Sequence, residues 1–288
     1  MVGSSPPGDD VTDDDRIPLA RDSPHPLVAA LETIRRDPVL LVPFFVVGLA
    51  LAALDWLRRA DPLPTPEHVV FDGSHLDLHV TYVGYPTGVS QTTVPLESLV
   101  ALHPHLLGWG LASYVLPLLA VTVAGVVTMA RPMGREPQLR MVVSLFGFVL
   151  VVDLTDRLLG SVDALQGMGL WGLPLLALLL FVMVRLFAVP GLLVAGRGLP
   201  AAIGESNRLT AGRGWQLAGL VLAFGLGAWL LADVSTVGAL LSTAIVAPVH
   251  AVAIVVVLDA SPDSALGSEP NADSDLEADP EGETEPDD

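Results

Sequence analysis

The sequence predicts an all-α integral membrane protein: a six-transmembrane helical bundle with a small extracellular β-rich cap between helices 1 and 2. Three observations predict it. Of 288 residues, 51% are apolar and only 16% are charged, against about 25% charged in a typical soluble domain, and the mean hydropathy is +0.59. The apolar residues gather into runs of about 20, the length that crosses a bilayer. All 14 basic residues are arginine, and they fall unevenly between those runs.

Charge divides the chain into three parts. The formal net charge is −18; residues 259–288 carry 12 acids and no base, and residues 1–37 carry 8 acids and 4 arginines. Ends of this composition bury too little apolar surface to offset the entropy of ordering them. Residues 1–25 therefore read as a disordered acidic tail, 26–258 as the membrane domain and 259–288 as a second disordered acidic tail. Many acids with no lysine is also a halophilic composition, since carboxylates keep a surface hydrated in concentrated salt.

The elements follow in order. Pro26 to Arg36 places Leu27, Leu31 and Ile34 on one helical face, which predicts a short helix lying on the inner membrane surface. Asp37-Pro38 ends it. Spans are expected at about 38–57, 106–130, 138–160, 170–188, 214–232 and 236–258, each helical because lipid offers the backbone no hydrogen bonds. The third is the weakest, with 12 uncharged residues between Arg140 and Asp153. Arginine placement decides for it. With six spans, 11 arginines share one side and only Arg58, Arg59 and Arg157 lie on the other. By the positive-inside rule both termini are then cytoplasmic and the protein sits in the cell membrane.

The loop 58–105 holds five of the seven histidines. Val69 to Tyr85 reads as a strand, Tyr85-Pro86-Thr87-Gly88 as a turn and Gln91 to Leu96 as a returning strand. On that first strand His75, Asp77 and His79 alternate with apolar residues and point one way. With His103 and His105 above the second helix they form a candidate zinc or copper site. The competing reading is a solvated strand face in a chain without lysine. No other cofactor is expected.

Inside the spans, Asp153, Asp156 and Arg157 occupy one face at i, i+3 and i+4. His250 follows Pro248, which should kink the sixth helix. Ionisable groups in spans are functional candidates; these four read either as an ion pair near the outer interface plus a core histidine, or as a proton or ion relay. Arg185 reads as snorkelling or binding lipid phosphate. Gly219, Ala223 and Gly227 form a small-residue stripe, read as an intramolecular packing seam.

Several chemistries are excluded or unsupported. Without cysteine there are no disulfides, thiol nucleophiles or cysteine zinc sites, and without lysine no Walker A lysine and no pyridoxal Schiff base. The acidic balance argues against nucleic acid. Gly204-Glu205-Ser206-Asn207-Arg208 begins like a nucleophile elbow but lacks the final glycine. The reading leans away from an enzyme.

Phe187-Ala188-Val189-Pro190, Gly198, Ala201, Glu205-Ser206-Asn207-Arg208-Leu209 and Gly212-Arg213 form a pattern before the fifth span. Ala29-Ala30-Leu31 and Arg36-Asp37-Pro38-Val39-Leu40-Leu41 form another before the first. Together these resemble the membrane domain found with glycerophosphodiester phosphodiesterases, and the whole is similar to haloarchaeal six-span membrane proteins of uncharacterised function. The resemblance implies a multi-pass architecture and no catalytic residue. The leading functional expectation is a membrane scaffold or accessory protein that contacts the lipid bilayer and a membrane-protein partner. The alternatives are a transporter or channel subunit using Asp153, Asp156, Arg157 and His250, and a metal-binding outer cap.

Overall fold

The structure, a computed structural model, describes residues 25–59, 71–72, 75–76, 85–88, 104–158, 171–232, 234 and 237–260. Ten helices carry almost all of it. Helix α1 (Pro26–Arg36) leads through a 3₁₀ turn (Pro38–Leu41) into α2 (Val42–Arg59). Then come α3 (Pro104–Ala130), α4 (Leu139–Leu158), α5 (Gly172–Leu186) and the short α6 (Val189–Val194). Helix α7 (Leu199–Thr210) precedes α8 (Gly214–Ala232). The last stretch is α9 (Gly238–Leu241), a π turn (Ser242–Val246) and α10 (Ala247–Asp259).

Among the described residues five stretches are long and apolar enough to cross a membrane: Pro38–Arg58, Leu106–Ala130, Gly172–Val194, Gly214–Ala232 and Gly238–Asp259. The chain is thus an all-α membrane protein. Helix α4 is not among the five, because Arg140, Asp153, Asp156 and Arg157 dilute its apolar run. Its 20 residues still extend about 30 Å at 1.5 Å per residue.

Contacts fix the directions of the helices. Arg58 meets Ser113 while Leu40 meets Thr128, so α2 and α3 are antiparallel. Tyr114 meets Asp153, and Gly125 faces Leu145, so α4 runs back along α3. Phe224 lies against His250 and Gly227 faces Val246, so α8 opposes the last stretch. Phe187 meets His250 and Gly191 faces Ile254 and Leu258, so α5–α6 runs parallel to it. One end of the bundle therefore carries α1, the 131–138 turn, α7 and the end of α10. The other carries the long 60–103 connection. We call them the termini end and the loop end.

The last stretch is the hub. Every residue from Val246 to Val255 is buried, with α10 packed by α1, α3 and α6 and the π turn by α2 and α8. Pro248 explains the π turn. In a regular α-helix its ring would strike the carbonyl of Ala244, and it offers no N–H. Widening the preceding turn relieves both problems. The kink expected at Pro248 is taken up as this local widening.

Two expectations need correction here. Of the face expected on helix α1, Ile34 is buried and Leu27 packs partly buried against the core, but Leu31 is half exposed, and Ala29, Ala30 and Thr33 complete the buried side. Its small residues let it lie closely against α10, which a leucine face would hold away. In the loop, Phe71–Asp72 pairs antiparallel with His75–Leu76 in the register Phe71↔Leu76, Asp72↔His75. The chain therefore reverses inside the segment expected to be one strand from Val69 to Tyr85. Gln91 to Leu96 lies outside the described residues.

Apolar side chains cover the bundle's outside, among them Phe45, Leu116, Leu178 and Leu226. Trp56, Trp171 and Trp215 are 74%, 84% and 92% exposed and stand at helix ends, where indole rings anchor a bundle at the lipid–water interface.

Candidate functional site

Among the described residues, polar side chains tie neighbouring helices together inside the bundle at two places. The first is a belt across α2, α3 and α4 at the loop end. Asp55 and Arg58 stand one turn apart on α2 and are 6% and 5% exposed. Arg58 Nη2 donates to the carbonyl of Ser113 on α3. The next residue, Tyr114, donates its hydroxyl to Asp153 Oδ2 on α4 at 2.8 Å. Arg157 Nε donates to the same oxygen at 2.8 Å, and its guanidinium lies 4.9 Å from the centre of the Tyr114 ring. Successive helical residues point about 100° apart, which is how Ser113 and Tyr114 reach opposite neighbours. The Asp153 oxygen accepts two hydrogen bonds, one of them from a cation, the strong charge-assisted kind. Asp156 lies on α4, but its side chain is outside the described residues.

The second place is the break between α5 and α6. The helix interrupts at Phe187-Ala188, and Ser206 of α7 repairs it. Ser206 Oγ donates to the Arg185 carbonyl at 2.6 Å and accepts from the Ala188 N–H at 3.3 Å. Interrupted helices in lipid are tolerated when a neighbouring hydroxyl satisfies the freed backbone in this way. Ser206 is fully buried, so its hydroxyl is committed to backbone rather than presented as a nucleophile. Arg185 completes the joint. Its Nη1 donates to the Asn207 carbonyl at 3.0 Å, and its guanidinium lies 5.0 Å over Phe181. The side chain expected to snorkel or bind lipid phosphate is turned onto α7.

His250 sits beside this joint. Its ring stacks on Phe224 at 4.6 Å and on Phe187 at 5.4 Å. It is 1% exposed, and Nδ1 has no hydrogen-bond partner among the described residues. The structure does not bring His250 to Asp153. The carboxylate is held at the loop end of α4, and the imidazole lies past the middle of the last stretch, among aromatic rings.

At the termini end, arginines act as latches. Arg131 Nε pairs with Asp37 at 2.8 Å, Arg135 Nη1 donates to the Ala195 carbonyl at 2.9 Å, and Arg197 lies 3.5 Å from Glu205. Ala195 ends α6, and Gly196 follows it at φ 85°. That left-handed conformation lets Arg197 N–H and Gly196 N–H bond back to Leu192 and Leu193.

The histidine cap falls largely outside the described residues. His75 pairs with Asp72 across the short hairpin, and His105 stands in the first turn of α3, but their side chains are not described. Asp77, His79 and His103 lie outside altogether. Among the described residues no group of three metal-ligating side chains converges. The stripe of Gly219, Ala223 and Gly227 is a correction. Gly219 and Ala223 face outward, with open space around Gly219, and only Gly227 packs inward, near Val246.

The sequence brings up Ser206 only as a failed nucleophile elbow, and Asp55, Arg58 and Tyr114 not as site residues at all. Asp55 and Arg58 one turn apart at a span end were a readable signal. Tyr114 and Ser206 depend on which helices neighbour them. No family model, curated protein or solved structure matches the chain.

Proposed function

We propose that the chain is a six-span cell-membrane protein with both termini on the cytoplasmic side. We further propose that it serves as a scaffold or accessory protein contacting lipids and envelope partners. The observation that carries the scaffold reading is the use made of its interior polar groups. Tyr114, Asp153 and Arg157 tie α3 to α4, Arg58 ties α2 to α3, and Ser206 and Arg185 tie α7 across the broken helix. These groups serve as fasteners between helices, which is what a stable platform needs.

Two facts support six crossings. Helix α4 runs antiparallel to α3 and is long enough to reach both interfaces. Helix α1 packs on α10, so the first and last described helices meet at one end of the bundle, as an even number of crossings requires. The nine described arginines of that end, against Arg58, Arg59 and Arg157 at the other, support a cytoplasmic placement.

Cross-linking in native membranes followed by mass spectrometry tests the scaffold reading. The expected result is a recurrent envelope protein linked to the bundle, lost when Trp215 and the exposed residues of α7 are replaced. Recovery of the chain with lipid alone would count against it.

A second reading, a transporter or channel subunit, is favoured by one observation. Two interrupted helices, the α5–α6 break and the π turn, both lie against the region of His250, and discontinuous helices build solute sites in transporters. Flux of ions and small solutes into proteoliposomes, with His250→Ala and Asp153→Asn as controls, separates the two. Flux abolished by either substitution would replace the scaffold reading.

A further inference from the structure

The turn Tyr85-Pro86-Thr87-Gly88 belongs to the long connection at the loop end, yet it is seated in the bundle. Pro86 is buried, Tyr85 packs against the apolar core, and Gly88 lies directly on Thr243 in the π turn. A Cβ at position 88 would overlap the Oγ1, N and Cα atoms of Thr243, so only glycine permits this approach.

The seat is recessed. Gly48 of α2 packs against Leu240, so measured along its axis α2 continues roughly 13 Å past the start of the last stretch. Helix α8 ends beside that start, with Ala232 against Gly238. The loop end is thus stepped, high at α2 and α3 and low at α8 and α9, and the turn fills the low side.

The floor of the step is polar. Thr243 is 1% exposed, and its Oγ1 has no hydrogen-bond partner among the described residues. Pro248 forces the widened turn that presents it. A hydroxyl left unsatisfied beneath a side-chain-free glycine makes a contact that is tight but weakly bonded, and water gains a hydrogen bond whenever it is admitted.

We propose that the Tyr85–Gly88 turn is a plug. Seated, it closes the loop end of the bundle over the π turn. Lifted, it opens the Thr243 hydroxyl to water and small uncharged polar solutes from that side. The plug does not depend on whether α4 crosses the membrane, so its failure would leave the six-span reading intact.

The chain has no cysteine, so single-cysteine variants report cleanly. In sealed vesicles, Thr243→Cys should react with a membrane-impermeant maleimide at least about tenfold more slowly than Trp171→Cys, as a locally closed site does. Adding Gly88→Leu should restore most of that rate. Equal rates for Thr243→Cys and Trp171→Cys with the native turn, or no acceleration by Gly88→Leu in a folded protein, would overturn the plug. A second arm keeps Gly88 intact: Thr87→Cys with Thr243→Cys, oxidised to a disulfide, which needs no bulky reagent to enter the closed seat, and read by peptide mass spectrometry. The bridged peptide is the expected product. Its absence, with both cysteines reactive in denaturant, overturns the proposal even if the Gly88 variant fails to fold.

Discussion

Ser206 shows how much a single side chain does in a low-dielectric interior. Its hydroxyl serves one orphaned carbonyl and one orphaned N–H at a helix break. Ser206→Ala should therefore destabilise the protein by about 1–3 kcal/mol, the range for leaving buried polar groups unsatisfied. Thermal melting in detergent measures this, with the exposed neighbour Asn207→Ala expected to stay near wild type. Tyr114 offers a second case. Tyr114→Phe keeps the ring under Arg157 and deletes only the bond to Asp153, which should cost about 1.5–3 kcal/mol for a bond to a charged acceptor. Because both changes act on one network, Tyr114→Phe and Asp153→Asn combined should destabilise by less than the sum of the two. Additive effects would show that the hydroxyl and carboxylate are not coupled.

At the scale of elements, α4 and the last stretch are the informative ones. Helix α4 has the length of a span but carries three ionisable residues in its final six, Asp153 to Leu158. Their placement at one end keeps them near an interface, where charge in a membrane is least costly. If α4 crosses, cysteines at Glu136 and at Ser161 should label from opposite faces of sealed membranes. Labelling of both from one face would mean that the helix lies flat. In the last stretch, Pro248→Ala removes the clash that opens the π turn. The expected outcome is a regular helix through 242–246, which turns Thr243 by roughly 100° relative to α10 and abolishes the Thr87–Thr243 bridge described above. A bridge that forms unchanged would show that packing by α2 and α8, not Pro248, holds the turn open.

At the scale of the molecule, the hub arrangement joins the first and last described helices, because α1 packs along α10. Protease added to sealed inside-out vesicles should then trim both acidic tails together, while right-side-out vesicles should protect both. Trimming of one tail in each orientation would require an odd number of crossings and would remove the topology proposed here.

What the sequence determined by itself was the solvent. Apolar runs of membrane length, a C-terminal tail without a base and arginines crowded into alternate connections follow from the cost of placing backbone and charge in hydrocarbon, and such costs are local enough to be read residue by residue. Asp153 and Arg157, one turn apart on one helix, were legible for the same reason. Only the tertiary structure decided which polar groups meet. That Tyr114 reaches Asp153, that Ser206 mends a break eighteen residues upstream at Ala188, that α1 buries Ala29 and Ala30 while Leu31 stays half exposed, and that Gly88 rests on Thr243 all depend on which helix lies beside which. Between lipid-embedded helices that choice rests on close packing and a few hydrogen bonds rather than on hydrophobicity, since every face is apolar and lipid is as apolar as leucine.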